Sequence, residues 1–365
     1  MAESRLHQLS QLGQSVWIDS ISREWLREGF LEKLIREDAV VGVTSNPTIF
    51  QKSLAGGSWY DDELRDVLRE ETDPKEVFYR LAVTDIKEAC DTLRPVWDGG
   101  GGKDGYVSME VDPTLAYDQE ATIEEALRLH EWIDRPNLFV KIPATEPGLV
   151  AIEECIARGR SINVTLIFGL DRYAAVAEAY LRGLERLVTG GGDASRVASV
   201  ASFFVSRVDT EADRRLDHAP ELRGKLAVAN AKLAYQRYKE IFSGGRWEAL
   251  ANRGATPQRC LWASTSTKNP DYPDTMYVDE LIGPETVNTM PVETIEAFQD
   301  HGTVALTLER DLDAAHAVFA DLERAGVDYD DVTDTLEREG VQKFSDSFEE
   351  LLGGVRTKRG ELAAA

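Results

Sequence analysis

Leu138-Phe139-Val140-Lys141-Ile142-Pro143 sets a lysine inside a run of large apolar residues, and the reading of that run decides the fold. Side chains alternate between the two faces of a β-strand. Leu138, Val140 and Ile142 therefore share one face, and Lys141 points to the other. The same pattern recurs outward along the chain. Ser108 and Glu110 oppose Val107, Met109 and Val111, and Asp19 opposes Val16 and Ile18. Thr44 and Asn46 oppose Val41 and Val43, while Asn163 and Thr165 oppose Ile162, Val164 and Leu166. Ser202, Phe204 and Ser206 oppose Ala201, Phe203 and Val205, and Ser264 opposes Leu261 and Ala263. A lone Ser or Thr in such a place is ordinarily a satisfied core polar. Lys, Glu and Asp are rarely fully buried unless paired, so their repetition on one face asks for a common polar interior.

Eight strand-like runs can be placed: Val16–Ser20, Val40–Asn46, Tyr106–Val111, Leu138–Pro143, Ile162–Phe168, Val197–Val205, Cys260–Ser264 and Thr286–Met290. Helix-like stretches lie between them, including Ile123–Asp134, Gly148–Arg158, Asp171–Leu187 and Thr210–Phe242. Strand-then-helix alternation implies parallel strands joined by crossover helices. Eight units favour an α/β fold closed as a (β/α)8 TIM barrel, with a doubly wound open sheet as the alternative from pattern alone. Such a barrel needs about 250 residues. The 365 present allow a single domain over 1–365, with a helical insertion at about 47–103 after the second strand and extra C-terminal helices at about 306–355. The insertion holds helical segments near Tyr60–Glu71 and Lys75–Leu93. The tail holds Leu306–Ala325 and Tyr329–Leu352, the last expected as a lid over the barrel mouth.

The formal net charge of −24 disfavours nucleic acid and anionic membranes as partners. No apolar run approaches the ~20 residues that cross a bilayer, and the N-terminus shows no signal peptide. The cysteines Cys90, Cys155 and Cys260 are far apart and read as free thiols of a cytoplasmic protein. The five histidines are scattered, so neither a metal site nor any cofactor is expected. Gly99–Gly102 and Gly190–Gly192 lack the endings of phosphate-binding loops and read as connections.

Desolvation disfavours a charged amine, and a neutral lysine can attack a carbonyl to form a Schiff base. That route needs proton shuttles, a task suited to the separately placed carboxylates Asp19 and Glu110. The hydroxyls and amides would hold a polyol, and Arg207 or Lys268 a phosphate at the barrel mouth. The residues alone thus point to Schiff-base lyase or transferase chemistry on a sugar phosphate.

Six stretches resemble the transaldolase family in order and spacing: Val43–Pro47, Val107–Asp112, Val140–Thr145, Ile162–Phe168, Ser202–Arg207 and Trp262–Asn269. The resemblance runs from about Trp17 to the last strand and is similar to the larger bacterial subfamily, some of whose members are fused to a phosphoglucose isomerase. The 365 residues are expected to hold the barrel without such a second domain. It implies that Lys141 is the Schiff-base lysine and that Asp19 takes the proton from the substrate C4 hydroxyl. Glu110 and Thr165 would order a catalytic water, while Asn46, Asn163 and Ser202, with Thr44 beside them, would hold the dihydroxyacetone portion. Arg207 would bind phosphate, with Phe204 and Ser264 lining the site. The implied reaction passes dihydroxyacetone from sedoheptulose 7-phosphate to glyceraldehyde 3-phosphate, giving erythrose 4-phosphate and fructose 6-phosphate in the non-oxidative pentose phosphate pathway.

One departure stands out. Many members carry Ser-Phe-Arg after the seventh strand, whereas this chain reads Ser264-Thr265-Ser266-Thr267-Lys268. Lys268 or the hydroxyls must replace the second phosphate-contacting arginine, with a point charge in place of a fork. The nearest rival is fructose 6-phosphate aldolase, a shorter relative usually carrying Gln at the place of Glu110 and Tyr at that of Phe204. A rival of another class is a non-catalytic sugar-phosphate-binding regulator. The sequence leaves monomer and homodimer both open.

Overall fold

The computed structural model describes residues 4–55 and 57–364. Eight parallel strands close into a barrel in simple sequential order. They are β1 (Gln14–Ile18), β2 (Val40–Val43), β3 (Tyr106–Glu110), β4 (Leu138–Pro143), β5 (Ile162–Ile167), β6 (Ser199–Phe204), β7 (Arg259–Ala263) and β8 (Thr286–Met290). The ring closes where β1 pairs with β8 from Gln14↔Thr286 to Ile18↔Met290. The expectation of a (β/α)8 barrel is met, each strand being completely or almost completely buried.

The barrel floor explains why one face changes character along its length. Trp17 shares a parity with Asp19, and Phe139 with Lys141, so these rings fill the interior below the polar groups. Tyr106 stacks on Phe139 at 4.1 Å, and Trp17 lies 6.1 Å from the same ring. Arg259 reaches Ser15 (2.9 Å) and Asp104 (3.0 Å), and Asp104 also accepts from the Trp17 indole (3.1 Å). A Cβ at Gly42 would stand 2.5 Å from the Trp17 ring. Gly42→Ala is therefore expected to overpack this floor and lower stability by about 1–3 kcal/mol, to be read as a fall in urea midpoint at constant m-value.

Two sequence expectations need correction. Thr210–Phe242 is not one helix. It divides into the end of Ser206–Asp213, a turn through Pro220 and Gly224 (φ +70°), and Leu226–Ile241. Proline removes a helical donor and the left-handed glycine turns the chain. On β7 the parity is the reverse of the expected one. Cys260 meets Tyr173 and Trp262 meets Phe203 outside the barrel, which turns Leu261 and Ala263 inward.

The insertion after β2 forms helices Pro47–Ala55, Asp61–Val67 and Pro74–Gly99. Beyond β8 come Val292–His301 and Leu312–Arg324, then the long C-terminal helix Tyr329–Ala364. That last helix crosses the C-terminal mouth of the barrel. Thr48 donates to Ser347 (3.0 Å), Glu337 pairs with Arg172 (3.0 Å) and Lys358 reaches the Gly57 carbonyl (2.7 Å). Phe344, Phe348 and Leu351 are buried beneath it. Burial of each such side chain contributes roughly 1.5–3 kcal/mol, against 0–1 kcal/mol for an exposed ion pair. Apolar packing therefore holds the helix in place, and its ion pairs set only register.

Candidate active site

A cavity of about 670 Å³ opens at the C-terminal end of the strands. Of the side chains expected from sequence, Asp19, Thr44, Asn46, Lys141, Thr165, Ser202, Phe204, Arg207, Ser264 and Lys268 line it. Glu110 and Asn163 do not line it but stand directly behind those that do. Glu110 Oε2 lies 3.5 Å from Lys141 Nζ, across the Glu110↔Lys141 register of β3 and β4. Asn163 donates to Ser108 (3.0 Å) and accepts from Ser202 (2.7 Å). This polar chain spans three strands and fixes the orientation of the Ser202 hydroxyl.

Several groups reach the cavity by leaving regular strand geometry. Asp19 lies one residue past β1, and Asn46 caps the helix Pro47–Ala55 by accepting from the Ile49 amide at 3.0 Å. Proline at the first helical position suits that start. Leu166 (φ +60°) interrupts the β5–β6 register between Val164 and Ile167. Ser264 (φ +55°) follows β7 and swings to the cavity despite its strand parity, its hydroxyl 3.0 Å from that of Ser206. Two non-glycine residues in left-handed conformation beside one cavity mark backbone strain held where side chains must be aimed. Asp112, which ends the stretch Val107–Asp112, is not brought to the site. It turns outward to pair with Lys75 at 2.7 Å.

Lys141 Nζ donates to the Ser45 carbonyl at 3.0 Å, which aims the amine across the barrel. Asp19 Oδ1 accepts from Thr44 (2.7 Å), whose hydroxyl also meets that of Thr289 on β8 (2.6 Å). Enclosure by the barrel pushes the Asp19 carboxyl above its ordinary value, while Lys141, the Thr44 hydrogen bond, Arg207 and Lys268 pull it down. Its exposed edge faces the cavity. Burial also raises Glu110, against the pull of nearby Lys141 and with a small push from Asp19. Two carboxyls with raised affinity for a proton thus flank one amine. Glu110 Oε2 and Thr165 Oγ1 are buried atoms that hydrogen-bond to no described residue.

The mouth is cationic in an acidic protein. Arg207 stacks over Phe204 (5.0 Å), and burial lowers its pKa. Lys268 donates to Ser266 at 2.6 Å. Lys52 and Lys343 join them, together with Phe344, whose ring lies 5.9 Å from Lys141 Nζ. Sequence reasoning missed Lys52, Lys343, Phe344 and Thr289. The first three sit on exposed-to-amphipathic helices, where a Lys or Phe is unremarkable, and Thr289 sits on the one strand given no polar face.

Comparison with known proteins gives one answer. A family model described as transaldolase/fructose-6-phosphate aldolase matches residues 16–355. The chain is 55% identical over 361 residues to a protein of Frankia alni named Transaldolase, covering 97% of each. A protein of the same name from Acidothermus cellulolyticus is 55% identical over 355 residues, covering 96% of this chain and 95% of its own. One from Thermobifida fusca is 54% identical over 358 residues, covering 96% and 97%.

Proposed function

Because the chain belongs to the transaldolase/fructose-6-phosphate aldolase family, we propose that Lys141 is the Schiff-base nucleophile of a transaldolase acting on sugar phosphates. The observation that carries this reading is the Lys141 amine at the edge of a cavity, 3.5 Å from one proton-avid carboxyl and sharing the site with a second. Lys141 attacks the C2 carbonyl of the ketose. Glu110, through a water shared with Thr165, moves the protons that turn the carbinolamine into an imine. The Thr165 hydroxyl, which hydrogen-bonds to no described residue, and the Glu110 oxygen 3.5 Å from the Lys141 amine support that role.

Asp19 then takes the C4 hydroxyl proton. The C3–C4 bond breaks, its electrons pass into the imine as an enamine, and the shortened aldose phosphate leaves. The enamine attacks the acceptor aldehyde, and Asp19 returns the proton to the new C4 oxygen. Water, with Glu110, finally releases the ketose from Lys141. Asn46, Ser202 and Thr44 hold the three-carbon unit, with Asn163 behind them orienting the Ser202 hydroxyl; Phe204 and Ser264 bound it, and Arg207 with Lys268 binds phosphate. Sedoheptulose 7-phosphate and glyceraldehyde 3-phosphate are the forward pair, yielding erythrose 4-phosphate and fructose 6-phosphate. Free, buried thiols at all three cysteines suit a reducing cytoplasm, and no helix among the described residues is long and apolar enough to cross a membrane. Glu110 and Phe204, with relatives named Transaldolase, favour transfer over simple cleavage.

Borohydride reduction in the presence of fructose 6-phosphate tests this directly. A dihydroxyacetone adduct on the Lys141 peptide is expected. A folded, substrate-bound protein that yields no adduct would return the site to a binding role, and turnover without an acceptor would make it an aldolase. A second test uses pH. The Thr44 hydrogen bond stabilises charged Asp19, so Thr44→Val raises the pKa of that carboxyl further. Catalysis needs the ionised form, hence the acid limb of kcat/KM should move to higher pH. An unmoved limb would remove Asp19 from the proton-transfer step.

A further inference from the structure

Four cations border the cavity without an acidic partner: Arg207, Lys268, Lys52 and Lys343 form no ion pair among the described residues. That is unexpected in a chain with 65 acidic and 41 basic residues, most of whose cations find a carboxylate. Acids are within reach. Glu211 and Glu339 line the same cavity, yet both turn to Arg214.

The unpaired charges also act on one another. Burial lowers Lys268 first, and the charges of Arg207 and Lys343 lower it further. Like charges gathered in a partly desolvated space cost free energy until an anion joins them. Lys343 comes from a different element than the others, the helix Tyr329–Ala364, and is followed by Phe344, whose ring also stands 5.8 Å from the Arg207 guanidinium. One turn earlier Gly340 lets the helix approach β5, since a Cβ there would come 3.1 Å from Leu166. The helix is held down by buried Phe344, Phe348 and Leu351 and set in register at Ser347, Glu337 and Lys358, so Lys343 is presented without needing a ligand to hold it there.

We infer that Lys343 is a phosphate ligand of the substrate, a specificity-determining residue that the C-terminal helix supplies opposite Arg207 and Lys268. The inference rests on the transaldolase reading. It makes the substrate phosphate a bridge between barrel and helix, with two separated ammonium groups taking the place of one planar fork.

The test compares glyceraldehyde 3-phosphate with unphosphorylated glyceraldehyde as acceptor. Lys343→Ala should lower the ratio of their kcat/KM values by about tenfold, the scale of one lost charge-assisted contact. Inorganic phosphate should weaken as a competitive inhibitor by a similar factor. Lys343→Arg should restore the ratio to within about threefold, because charge is the essential property. An equal fall for both acceptors, or an unchanged ratio and unchanged phosphate inhibition, overturns the inference. Absence of turnover by the wild-type enzyme with either acceptor would instead overturn the transaldolase reading.

Discussion

Lys141→Met will leave a folded barrel whose turnover falls by on the order of 10⁴-fold or more, the scale seen when a covalent nucleophile is removed. Methionine keeps the unbranched length of the lysine stem and adapts to irregular space, so the β4 packing of Leu138, Val140 and Ile142 should survive. Glu110 loses the ammonium that lowers its pKa and will hold its proton more tightly, which spares the variant an unpaired buried charge. The other lysines near the cavity, Lys52, Lys268 and Lys343, are exposed at its mouth and cannot stand in for an amine held by the Ser45 carbonyl. A coupled assay for glyceraldehyde 3-phosphate consumption, a thermal melt and borohydride trapping should together show lost activity, retained cooperativity and no adduct. Activity above one part in a hundred would require another nucleophile.

Asp19→Asn is expected to separate the two halves of the chemistry. The imine still forms, because Lys141, Glu110 and Thr165 are untouched, but no group accepts the C4 proton and cleavage stalls. A loss of about 10²–10⁴-fold is the usual weight of a positioned base. The diagnostic is the trapped mass: with fructose 6-phosphate, the variant should yield the adduct of the intact six-carbon phosphate, where wild type yields a dihydroxyacetone adduct. A dihydroxyacetone adduct formed at the wild-type rate would move the base elsewhere.

Those two residues were legible in the sequence for a simple reason. A charged group inside an apolar, β-branched run has few structural explanations, and strand alternation assigns it a face with no knowledge of the rest of the chain. The same rule found Glu110, Thr165, Asn163 and Ser202. It failed where geometry departs from alternation. Alternation assigns Ser264 to the interior face with Leu261 and Ala263 opposite, whereas those two point inward and Ser264, itself left-handed, turns to the cavity. It was silent on Lys343 and Phe344, because a helix read in isolation does not disclose which turn will lie over a cavity built some 200 residues earlier in the chain. The break in Thr210–Phe242 was written in Pro220 and Gly224, but helical composition on both sides masked it.

The seam of the barrel has a kinetic meaning. Asp19 is oriented by Thr44, and Thr44 in turn by Thr289, a residue 270 positions after Asp19 that is brought in only when β8 docks on β1. Contacts so distant in sequence carry the largest loop-closure entropy and belong to the slow end of folding. If Asp19 is the base we propose, its setting depends on closure of the ring, so that the enzyme's competence should report that closure more faithfully than its helix content does.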